Sequence, residues 1–112
     1  MARESLLIII EKYDGFVNYI YPIVQNMDRK HGTVKEMITQ SIFIQVELFY
    51  KALKSEQKSK LHEADTNLAT IRYWLRFMAE DKRRFISKRQ HQTASIKIDE
   101  VGKILGTWIR GK

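Results

Sequence analysis

The sequence contains no cysteine. That excludes a disulfide framework, a thiolate nucleophile and any cysteine-ligated metal. It fits a reducing compartment, and the expected location is the cytoplasm. Proline occurs once and glycine five times, too little punctuation for a loop-rich or sheet-rich fold. No alternating β-branched run is bounded by turn residues, so no strand is expected. No apolar run approaches the roughly 18–20 residues of a membrane span. The run Leu6 to Ile10 is shorter than the ~7–15-residue core of a secretory signal, and Glu11 and Lys12 end it. No membrane partner is expected.

What is present is charge and helical periodicity. Lysine and arginine total 20 against 13 acids, a net charge of +7. Such an excess suits a polyanion, with nucleic acid first among candidates, although a generic basic protein has the same composition. A length of 112 residues with 44% hydrophobic content makes one domain, residues 1–112, large enough to bury a core unaided.

The expected fold class is all-α, an antiparallel four-helix bundle with helices near 5–27, 33–54, 58–82 and 93–110. In the first, Leu6, Ile9, Ile10, Tyr13, Phe16, Val17, Ile20, Ile23, Val24 and Met27 share a face at 3.6 residues per turn. Pro22 falls off that stripe and is expected to kink the helix. Gly32 is expected to turn the chain in a left-handed conformation. Thr33-Val34-Lys35-Glu36 then matches a capping box. The second helix is expected to bury Val34, Met37, Ile38, Ser41, Ile44, Gln45, Leu48 and Ala52. The third carries a heptad seam of Leu61, Ala64, Leu68, Ile71, Leu75 and Met78. The fourth presents Ala94, Ile98, Val101, Leu105 and Trp108 on one side, and Gly102 and Gly106 on one flank permit close helix approach.

Two helices have more apolar surface than one core needs. Phe43, Val46 and Tyr50 lie off the core face of the second helix, and Tyr73 and Phe77 off that of the third, beside Trp74. Outward aromatics mark interfaces, so these five are the expected oligomer contacts. The alternative is that they pack under loops.

Chemistry is sparse. There is no phosphate-cradling glycine loop, nucleophile elbow or paired-histidine motif. His62 and Asp65 share a helical face, but two ligands at that spacing arise readily by chance. No cofactor, metal or catalytic residue is expected. The basic residues are the better candidates. Residues 82–98 carry Lys82, Arg83, Arg84, Lys88, Arg89 and Lys97 with no acid. Much of this stretch is expected as a loop that an anion would settle. Arg72 and Arg76, one turn apart, can follow a phosphate backbone or pair with neighbouring acids. Arg29, Lys30 and His31 form a second basic turn.

Several strings resemble one family. They are Tyr19-Ile20-Tyr21-Pro22-Ile23 with Arg29-Lys30-His31-Gly32, Gln45-Val46-Glu47-Leu48-Phe49, Arg72-Tyr73-Trp74-Leu75-Arg76-Phe77, and Glu100-Val101-Gly102-Lys103-Ile104-Leu105-Gly106-Thr107-Trp108-Ile109. In order, from about residue 13 to 109, they resemble Avd, the accessory variability protein of diversity-generating retroelements. That family is related to four-helix proteins encoded in intervening sequences of ribosomal RNA genes, which are the competing reading. The Avd resemblance implies a barrel-shaped homopentamer of four-helix bundles with a positive surface. It implies binding to the retroelement's reverse transcriptase and to template RNA or its DNA copy, in support of mutagenic retrohoming. It implies no catalysis by this chain. It places Arg72 and Arg76 on the arginines of the third-helix motif, and Arg29, Lys30 and His31 on the basic loop. Lys82, Arg83, Arg84, Lys88 and Arg89 complete the expected nucleic-acid contacts.

Overall fold

A computed structural model describes residues 3–55 and 57–111, with side chains from residue 7 onward. Leu6, placed above in the first core face, lies outside the side chains described. Four helices account for nearly all of it: α1 (Arg3–Gln25), α2 (Gly32–Ser55), α3 (Lys58–Ala79) and α4 (Lys88–Gly111). A single 3₁₀ turn, Arg29–His31, precedes α2. There is no strand among the described residues. Each helix packs on its neighbours in sequence, and α1 closes the circuit on α4. The result is an up-down-up-down bundle measuring 41 × 24 × 19 Å.

The core follows from three- and four-residue spacing. Ile9, Tyr13, Phe16, Ile20 and Val24 of α1, Met27 just beyond it, the full α3 seam from Leu61 to Met78, and Ala94, Ile98, Val101 and Leu105 of α4 are buried in one core. α1 continues through Pro22 and ends three residues later. A proline so near the C-terminus removes one helical bond but leaves the earlier turns intact.

On α2 the buried face differs from the expected one. Ile38, Ile42, Gln45, Phe49 and Ala52 are buried. Met37 and Ile44, expected inside, are 48% and 44% exposed. The helix is rotated about a sixth of a turn from the sequence reading. Both faces of α2 carry large apolar residues, so periodicity alone left its phase open. Long-range contacts decide it. Fully buried Gln45 donates to the Ala64 carbonyl at 3.0 Å and accepts from Asn67 at 2.8 Å. Asn67 also donates to the Ser41 carbonyl at 2.9 Å. A satisfied polar network of this kind fixes the register of α2 on α3.

Tyr13 supplies the matching bond to α1. Its hydroxyl is buried and donates to the Ile42 carbonyl. Burial pushes that phenol well above its usual range. The folded chain therefore holds a proton that the unfolded chain releases near pH 10. Stability from this group is complete below pH 10 and falls above it, by up to about 1.4 kcal/mol per pH unit. Tyr13→Phe is expected to cost about 1 kcal/mol at neutral pH and to flatten the alkaline slope. Urea titrations at pH 7 and pH 11 check both parts.

Candidate nucleic-acid interface

The α1–α2 and α3–α4 connections lie at the same end of the bundle. They are more than fifty residues apart in sequence, yet the His31 and Phe85 rings stand 4.4 Å apart, tilted by 42°. Asp28 begins the first connection by accepting from the Lys30 amide at 3.0 Å. Lys35 holds the Gln25 carbonyl at the end of α1 at 2.8 Å. Gly32 is right-handed, with φ −54° and ψ −43°, and already belongs to α2. The expected left-handed glycine and the capping box at Thr33 are therefore both displaced. The 3₁₀ turn runs directly into the helix and Asp28 does the capping.

The second connection is shorter than expected. α3 ends at Ala79, and α4 begins at Lys88 rather than near residue 93. Ser87 and Gln90 build a reciprocal cap. The Gln90 amide donates to Ser87 Oγ at 3.0 Å, and the Ser87 amide donates to Gln90 Oε1 at 2.9 Å. This Ser-x-x-Gln signal was legible but lay inside the basic run. Lys88 and Arg89 thus stand on a helical turn and not in a flexible loop.

Together the two connections, residues 26–36 and 79–91, carry eight lysines and arginines against four acids. Two of those acids are partly occupied. Glu80 meets Arg83 at 3.7 Å and Asp81 meets Arg84 at 3.9 Å. Arg83 also lies over the Phe77 ring, 3.7 Å from its centre, and donates to the Phe77 carbonyl at 3.3 Å. Arg29, Lys30, Lys82, Lys88 and Arg89 are exposed, and none forms an ion pair among the described residues. Lys88 and Arg89 occupy the first turn of α4, where a cation opposes the helix dipole. The opposite end of the bundle is far outside the roughly 8 Å screening length of physiological salt, so this pole acts as a local field.

Arg76 lies in the last turn of α3, next to the pole, and Arg72 lies one turn further from it, against α4. Arg72 pairs with Asp99 at 3.4 Å. Its guanidinium also occupies the space that a side chain at Gly102 would fill. Gly102 therefore accommodates an arginine rather than a helix backbone. Arg76, one turn on, is exposed. A shallow groove between α3 and α4 joins Arg72 to Lys103 and Arg110.

Exposed apolar residues occur on all four helices, Leu7, Ile8 and Tyr21 on α1 and Ile96 on α4 among them, and Tyr21 packs on Phe43 of α2 with ring centres 5.4 Å apart. Phe43 is 47% and Tyr73 51% exposed, and Tyr50 is exposed as well. Val46 and Phe77 are half-buried, the latter beneath Arg83. Met37, Phe43, Ile44 and Trp74 line one open groove between α2 and α3. Met37 and Ile44 were missed as surface residues because they share the apolar character of the true core positions. His62 and Asp65 are exposed, and no group of three metal-ligating side chains forms among the described residues. Among the described residues no helix is long and apolar enough to cross a membrane.

A small helical bundle with a cationic pole and an open apolar groove between α2 and α3 has the surfaces of a binding protein. The family model described as bAvd-like matches residues 7–111, and the chain belongs to that family. The match supports an accessory, non-catalytic role in a diversity-generating retroelement. No curated protein matches the chain.

Proposed function

We propose that the protein is an accessory factor of a diversity-generating retroelement that binds template RNA, or its DNA copy, and the reverse transcriptase, in support of mutagenic retrohoming. The observation that carries this reading is the joining of two cationic connections into one pole through His31 and Phe85, in a chain of the bAvd-like family. Arg29, Lys30, His31, Lys82, Arg83, Arg84, Lys88 and Arg89 contact phosphates there, and Arg72 and Arg76 extend the track along α3. Binding rests on charge, so it tolerates sequence and falls with salt.

Assembly uses the flank around the α2–α3 groove. Phe43, Val46, Tyr50, Tyr73 and Phe77 lie on or beside the contact, with Met37 and Ile44 at its centre, and copies close into a homo-oligomer, a pentamer in the barrel form. A ring repeats the cationic pole, and avidity then multiplies weak phosphate contacts. The polymerase docks on the assembled surface.

Light scattering on the purified protein tests assembly and binding together. One chain is 13.3 kDa. The expected mass is about five chains, rising when a structured RNA is added and reverting at high salt. A monomer whose mass does not respond to RNA would contradict both the ring and the electrostatic mechanism.

A further inference from the structure

The elbow between α3 and α4 encloses an open cleft of about 550 Å³, within the roughly 300–1,000 Å³ of small-ligand sites. Its walls combine two chemistries. Arg84 and Lys88 supply positive charge, Ser87 and Gln90 supply polar atoms, and Phe85 supplies an apolar wall. Asp81 is the one acid there and faces Arg84 at 3.9 Å. The Phe85 ring packs against His31 at 4.4 Å and Phe77 at 6.3 Å. An oriented aromatic beside two cations suits a single strand, whose phosphates take the charges while an unpaired base takes the ring. A duplex keeps its base faces within its own stack.

The backbone of Arg84 adds an independent observation. Its φ is 51°, the one positive value at a non-glycine position among the described residues. Its amide closes the turn that follows α3, on the Glu80 carbonyl at 2.8 Å. Glycine fills such a position without strain. The ion pair with Asp81 joins two side chains more than 70% exposed, and a pair so exposed adds little stability. The fold alone does not call for arginine here.

We propose that this elbow receives an unpaired nucleotide of a single strand, its phosphate between Arg84 and Lys88 and its base against Phe85. The proposal rests on the nucleic-acid reading above and specifies which form is preferred. The test is fluorescence anisotropy of the full chain with a short single-stranded RNA and a duplex of equal length, at one salt concentration. Arg84→Gly is expected to raise Tm by roughly 2–5 °C while lowering single-strand affinity more than duplex affinity. Phe85→Leu is expected to lower single-strand affinity at least about fivefold and to leave the duplex nearly unchanged. Lys88→Gln, at an exposed position, gives the same ordering should Phe85→Leu disturb the His31 contact. Equal losses on both probes would reduce the elbow to a phosphate contact and overturn the proposal. Unchanged affinities in all three variants would overturn it too, yet leave the broader reading standing provided the wild type binds. A wild type that binds neither probe would sink both.

Discussion

Replacing Arg29, Lys30, Lys88 and Arg89 together by glutamine lowers RNA affinity by roughly 100- to 1,000-fold near 0.1 M salt, because four phosphate contacts disappear. All four side chains are exposed, so the fold should survive, since such surface changes move stability by about 0.5 kcal/mol or less. At Lys88 and Arg89 the sign is favourable. Removing a cation from the first turn of α4 relieves its dipole by about 0.3–1 kcal/mol per charge. The variant should therefore melt no lower than the wild type while binding collapses. Lys54 and Lys58, at the opposite end of the bundle, are the matched control. They lie many times the ~8 Å screening length from the pole, and Lys54→Gln with Lys58→Gln should change affinity far less. Anisotropy titrations with thermal melts on the same samples check the pair of outcomes. A large loss in the control and a small one in the pole variant would place binding elsewhere on the bundle.

Met37→Asp with Ile44→Asp dissociates the assembly into monomers that remain folded. Both residues are exposed in the single chain, so carboxylates there stay in water when the bundle stands alone. In a contact they would be buried without partners, and each central position is worth about 2 kcal/mol or more, roughly 30-fold in the association constant. Ile42→Asp is the informative contrast. Ile42 is 2% exposed, and a charge there unfolds the chain rather than the oligomer. Light-scattering mass with circular dichroism separates the two results. A double variant that keeps the parent mass would move the contact off this flank.

The difference between Ile42 and Ile44 is also where sequence reasoning reached its limit. The α3 seam was legible to the residue, because Leu61 through Met78 step by three and four without interruption. α2 offered two apolar faces, and its phase was set by Gln45 and Asn67 reaching α3, bonds that periodicity does not encode. The composition of the site was legible and the contact that joins it was not. Arg29–His31 and Lys82–Arg89 each read as basic stretches. The antiparallel bundle puts them at one end, and the His31–Phe85 contact brings them together. The left-handed residue was sought at a glycine and occurs at Arg84. The start of α4 was placed late because Ser87 and Gln90 were submerged in charge, although their spacing is that of a cap. Arg72, offered as a phosphate contact, is partly engaged by Asp99, the pairing that the same sequence reading had set beside it.

The most direct test of the central claim is the salt dependence of RNA binding, measured on the wild type and on the Arg29, Lys30, Lys88 and Arg89 glutamine variant. The account predicts a steep linear fall of log affinity with log salt for the wild type, and a slope shallower by about three in the variant, at roughly 0.7–0.9 per phosphate contact. Equal slopes for the two proteins, or a wild-type affinity indifferent to salt, would contradict a cationic pole as the seat of binding.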